Sequence, residues 1–312
     1  MASTGYAQPS SPLPSPESSN SPKHQLPTES SSTTSTPIPP SATRLWRPAA
    51  QRNLRNQWSK LASYKQEWSS SSSSARSHAT SLVNSYLSQR YMSAMELGVL
   101  SDMRNIRKKA CWKLFKQQEL HRRKLLSSYK DMVATVVHMV NTSRSMRSFI
   151  KGTSSPLVQF SSFSEDKRDT GDGGGVPVYT FWSVSVFEDL AYELVQMFRL
   201  ELVLKRLLVV EFLSISSEEF PINPVCWLDE LYTGEFDDLC ICDLYSREFG
   251  EPVCPKIEGW DSDRPAEQSN HQPDQDVLQV YLTTWLAAVN VDAYRVDEIF
   301  ETVGEEMHVS LT

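Results

Sequence analysis

Apolar residues recur at helical steps along much of this chain, and the polar runs between them carry no such period. From Ala49 to Trp68, the residues Leu54, Trp58, Leu61 and Tyr64 share one side of a helix, and Pro48 sits where a first turn tolerates its missing amide hydrogen. The serines from Ser69 to Ser74 predict a break, because their hydroxyls compete for backbone hydrogen bonds and add no apolar contact. A helical pattern resumes between His78 and Met95 through Leu82, Tyr86 and Met92.

Ser101 is placed to cap a longer helix. Ile106, Ala110, Leu114, Gln117, His121, Leu125, Tyr129, Met132, Val136, Met139, Ser143 and Met146 follow in steps of three and four, and neither proline nor glycine intervenes before Gly152. A helix of roughly fifty residues would be about 75 Å long, more than a small globule buries, which predicts a projecting or coiled-coil-like element. Gln117 and His121 weaken the apolar seam, so packing against the C-terminal half is expected ahead of sustained coiled-coil pairing.

Beyond a Ser-, Asp- and Gly-rich connector from Ser154 to Gly175, the residues Val176 to Trp182 read as a short extended segment. Ser185 and Glu188 have the spacing of a capping box, and the helix they open should reach about Ser214. Its apolar positions, among them Phe187, Leu190, Leu194, Phe198, Leu208 and Phe212, cover more than one side, which makes it the expected central helix. Pro221, Pro224, Pro252, Pro255, Pro265 and Pro273 disfavour any long helix after it. Val277 to Val289 then carries Leu278, Tyr281, Leu282 and Trp285 on a helical face. Asn290 or Asp292 can cap a last helix with Val296, Ile299, Phe300 and Val303 inward.

The expected fold is all-α: a loose helical bundle with one long basic helix and extensive disordered segments. Residues 1–43 read as a disordered tail, since 12 Ser, 6 Thr and 9 Pro leave little apolar surface to offset the entropy of ordering. A basic helical region (44–151), a flexible linker (152–175), the central helix region (176–216), an acidic aromatic Pro-containing segment (217–273) and C-terminal helices (274–312) follow. The most hydrophobic stretch, Leu190 to Leu213, is interrupted by Glu193, Arg199, Glu201, Lys205, Arg206 and Glu211, so no membrane span is expected.

The net charge of −7 conceals a division. Residues 44–151 hold 21 Lys and Arg against 5 Asp and Glu, whereas residues 152–312 hold 9 against 31. A basic segment of this kind binds phosphates or acidic partners, or is neutralised by the acidic part of its own chain. The candidate basic docking surface comprises Arg104, Arg107, Lys108, Lys109, Lys113, Lys116, Arg122, Arg123 and Lys124, with Trp112 beside it. A second candidate is the acidic aromatic segment with Trp227, Leu231, Tyr232, Phe236 and Tyr245, whose rings can dock into a partner or return to the core.

Catalytic chemistry finds no foothold. The histidines are scattered without a nucleophile motif, and Gly171 to Gly175 lacks the lysine and the strand-to-helix frame of a phosphate loop. Cys226, Cys240, Cys242 and Cys254 have a spacing that argues against a zinc site. No cofactor, metal or catalytic residue is therefore assigned. An odd count of 5 cysteines with no export signal points to reduced thiols in the nucleus or cytoplasm, and the tail is a weak match to a plastid transit peptide. Ser11, Ser15, Ser21, Thr36 and Ser155 each precede proline and are candidate phosphosites. Together these features predict a non-enzymatic adaptor or scaffold for regulated protein–protein association in a nuclear, chromosomal or cell-division process. Its alternative is a nucleic-acid or chromatin binder using residues 44–151. The sequence does not set the oligomeric state.

Overall fold

The helical register does not stop at the serines. The computed structural model describes residues 40–147, 177–216, 222–257 and 273–311, and in it helix α1 runs unbroken from Pro40 to Met92. Leu61, Trp68, Ala75 and Leu82 are buried seven residues apart, and Trp58, Ala79 and Tyr86 fall between on the same side. The serines between Trp68 and Ala75 therefore face outward or line the edge of the seam. Ser69 Oγ donates to the carbonyl of Lys65 at 3.0 Å, so its hydroxyl is satisfied within the helix. Register overrides the modest helix propensity of serine, and the expected break is absent.

A turn around Gly98–Leu100 leads into α2, Ile106–Arg144. Ser101 does not cap this helix: it closes the preceding 3₁₀ turn, its Oγ donating to the Gly98 carbonyl at 2.8 Å. At 39 residues, α2 is roughly 58 Å long, shorter than expected at both ends. It lies antiparallel to α1. Asn53 Nδ2 donates to the carbonyls of Ser145 and Met146 at one end, Tyr64 stacks on His138 in the middle, and Gln118 Nε2 reaches Gln89 and the Ser85 carbonyl at the other. Cys111, Gln118, Leu125, Met132 and Met139, again seven apart, are buried along α2. Matching periods on the two helices make α1 the main partner of α2, ahead of the C-terminal half.

Helix α3, Val184–Ser214, is buried on several sides and forms the centre of the bundle. Arg147 Nε meets Glu188 at 2.6 Å near its start, and Arg122 donates to the Ile215 carbonyl at its end, so α3 runs antiparallel to α2. No capping box forms. Ser183 is the N-cap residue, its hydroxyl bonded to that of Ser185, while Glu188 is occupied by Arg147. Residues 177–182 form a bend closed by the Val178 amide on the Trp182 carbonyl, not an extended strand.

The remaining chain packs around this frame. Short helix α4, Glu235–Ile241, precedes a minimal antiparallel pair, β1 Tyr245–Ser246 with β2 Glu251–Pro252, in which Tyr245 faces Pro252. Helices α5, Gln275–Ala287, and α6, Ala293–Met307, are capped by Asp274 and Asp292, whose carboxylates accept from the amides of Val277 and of Tyr294 and Arg295. They lie against α1 and α3. Trp285 Nε1 donates to the Ser72 carbonyl at 3.1 Å, and Lys65 pairs with Asp297 at 2.6 Å. A Cβ at Gly304 would stand 2.7 Å from the Val309 carbonyl oxygen, so only glycine lets the chain after α6 fold back. Trp58, Tyr129, Phe187, Phe198, Phe212 and Trp285 fill the core. The fold is an all-α bundle. Among the described residues no helix is long and apolar enough to cross a membrane.

Candidate docking surface

Past the contact between Arg122 and the end of α3, the hairpin is met among the described residues by the start of α5, where the Tyr91 hydroxyl donates to Gln275 Oε1 at 3.1 Å, while much of the α2 surface stays exposed. Of α2 residues 106–121, Cys111 and Gln118 alone are buried. Lys108, Lys109, Lys113, Lys116, Arg123 and Lys124 are exposed on α2, and Arg104 is exposed just before it. Among the described residues none of these seven cations forms an ion pair. Trp112 and Leu120 share the surface, each 46% exposed. Lys116 Nζ sits 4.7 Å from the centre of the Trp112 ring, which stacks on Phe115 at 5.7 Å. These contacts give the tryptophan a defined position beside positive charge.

Two of the predicted cations have other work. Arg107 donates to the Met95 carbonyl at 2.5 Å and ties the connector to α2. Arg122 is buried, bonded to Gln118, Glu119 and the Ile215 carbonyl, with burial holding its pKa below the usual guanidinium range. It belongs to the α2–α3 joint. Nearby, His78 and His121 face one another across the hairpin at 6.0 Å. Burial first, and then the charge of Lys124, holds both imidazoles below their ordinary pKa, and His121 further lowers that of His78.

The acidic aromatic segment is organised quite differently. Trp227, Leu231, Tyr232, Phe236 and Tyr245 are half-buried and pack against the core. The organiser is Arg206, fully buried on α3. Its Nε donates to Glu235 at 2.9 Å, and its other nitrogens donate to the Trp227 and Asp229 carbonyls at 2.7 and 2.8 Å. Glu235 also accepts from the Leu231 amide and the Tyr129 hydroxyl, both at 2.7 Å. The guanidinium lies over the Trp227 ring at 4.6 Å, and Phe236 stacks on Tyr245. Burial and the adjacent Glu235 carboxylate hold the Tyr129 phenol well above its ordinary pKa. Every ring named as a docking candidate here is thus drawn toward the chain's own helices.

One helical position earlier, Lys205 is buried against Glu201 at 2.6 Å and donates to the Trp285 carbonyl at 2.5 Å, while Glu201 accepts from the Asn290 amide. This pair fixes the α5–α6 turn on α3. Sequence reasoning treated Lys205 and Arg206 only as obstacles to membrane insertion. Their place within an apolar run was itself a signal, because a buried cation requires a buried anion and further hydrogen bonds. Between the serines of α1 and the α5–α6 turn lies an open groove of about 550 Å³ floored by Trp68, Phe198 and Trp285.

Cys226 and Cys254 are exposed, Cys240 is partly so, and Cys242 is buried, its thiol pushed up to about 12 by burial. No group of three or more His, Cys, Asp and Glu among the described residues could hold a metal ion. Ser11, Ser15, Ser21, Thr36 and Ser155 lie outside the described residues. No family model matches the chain, and no curated protein matches its sequence.

Proposed function

We propose that this protein is a non-catalytic helical adaptor that engages acidic protein surfaces through the distal basic face of the α1–α2 hairpin. The observation that carries this reading is the difference in pairing. Arg144, Arg147, Lys205, Arg206 and Arg295 face carboxylates. Among the described residues Arg52, Lys60, Arg76 and Lys130 are exposed singly without an ion pair, whereas Arg104, Lys108, Lys109, Lys113, Lys116, Arg123 and Lys124 form a succession of seven with no carboxylate partner. Charge left exposed on a long helical support is available to a second molecule. Phosphates at the Ser-Pro and Thr-Pro sites of the N-terminal tail would carry the charge needed to compete for the same cations, a route to regulation in the nucleus or cytosol.

Crosslinking mass spectrometry on the full chain in nuclease-treated extract tests the proposal. Lysines 108, 109, 113 and 116 should link to acidic segments of other proteins, and the links should vanish when these residues are changed to Glu with helicity retained. Links confined to the chain's own residues 152–312 would replace external docking with self-neutralisation. The competing nucleic-acid reading draws on the same stripe and its neighbouring tryptophan. It requires affinity for duplex or single strands that falls steeply with salt, roughly as the number of phosphates neutralised.

A further inference from the structure

We infer that the exposed face of α2 from Lys108 to Lys124 receives an acidic amphipathic helix of the partner, an inference that rests on the adaptor reading above. Lys109, Lys113, Lys116, Leu120 and Arg123 succeed one another in steps of four and three, with Lys108 and Trp112 on one flank and Lys124 on the other. At 100° per residue these eight positions span an arc of about 160°, and at about 1.5 Å per residue they extend for about 24 Å. That is a straight track matching some four turns of a second helix. Glu119, at the edge of the arc, is engaged by Arg122.

Three features select the occupant. Trp112 and Leu120 lie within the charged arc, 46% exposed. A phosphate backbone would neutralise the lysines but leave these side chains in water, whereas a helix with aliphatic and carboxylate side chains can cover the first and pair with the second. A second copy of this chain would set lysine against lysine. The beginning of α2 adds a further bias, because Arg107, Lys108 and Lys109 crowd its positive pole and no acid occupies its first turn. Each such cation is unfavourable at an exposed helix start, and an opposing row of carboxylates relieves that repulsion. The Trp112 ring, already positioned by Lys116 and Phe115, offers an apolar anchor that loses little freedom on docking.

The test titrates the full-length protein with a labelled synthetic 20-residue peptide bearing leucines on one helical face and glutamates on the rest. Controls are its scrambled isomer, polyglutamate, a 20-base-pair duplex and phosphatidylserine vesicles. The patterned peptide should bind at least tenfold more tightly than the scrambled isomer. Trp112→Ala should remove about tenfold or more of that affinity, and Lys113→Glu with Lys116→Glu should abolish it. Equal binding of patterned peptide, scrambled isomer and polyglutamate, all lost on charge reversal, would overturn the helical partner while sparing the acidic-partner reading. Stronger binding of the duplex or the vesicles, or no binding of any acidic peptide, would overturn both.

Discussion

The bundle around α3 and the far end of the α1–α2 hairpin hold positive charge differently. Where α3 lies alongside, Arg206 is enclosed with Glu235, two carbonyls and two aromatic rings, and Arg147 meets Glu188. Toward the turn, lysines of the same hairpin stand in solvent without an acid among the described residues. The enclosed charges fix how segments of this chain sit on one another. The exposed ones do nothing for that purpose, so the fold and the surface can be altered separately.

The sharpest break should come from Glu235→Ala. Leaving Arg206 buried without its carboxylate should cost about 3–5 kcal/mol in urea unfolding, and Glu235→Leu with Arg206→Met should recover a large part of it. A pair of leucines on α2 measures the same contrast without charge. Leu125→Ala, in the core, should cost about 2–5 kcal/mol, whereas Leu120→Ala, half exposed, should stay near 0.5 kcal/mol.

Acidity probes the boundary between the two regions. His78 and His121 have folded pKa values below 6.5, so the unfolded chain binds their protons more readily. Stability is therefore retained above about pH 6.5 and declines as pH falls from there through the lowered folded values. Thermal melts between pH 7.5 and 5 should show this decline, and His121→Gln should flatten it. The smallest effect belongs to the far end of the hairpin. Lys108→Glu should leave stability unchanged or raise it by about 0.3–1 kcal/mol, since an acid replaces a cation at the positive helix pole. A large loss there would mean that the basic face supports the fold.

Much of this architecture was legible in the chain. The central helix and the two C-terminal helices announce themselves because large apolar side chains recur at helical steps and Asp292 stands at a cap position. The serine run misled because composition was weighed ahead of register. Trp68 and Ala75 hold the seven-residue period across it, but alanine is a faint apolar mark. Arg122 was assigned to the surface with its neighbours, although the steps Gln118, Arg122, Leu125 place it on the seam. A seam drawn through Gln117 and His121 concealed this. The Glu201–Lys205 pair follows helical spacing and was readable in principle. Arg206 and Glu235 stand 29 residues apart in the sequence, and only tertiary packing joins them.

Antiparallel pairing of α1 and α2 places Asn53 beside Ser145 and Met146 toward one end, with the basic face toward the other. From Arg144 back to Lys113 the helix covers roughly 45 Å. The hairpin is thus a spacer: whatever lies at its tip is kept a fixed stride away from the end where α3 begins.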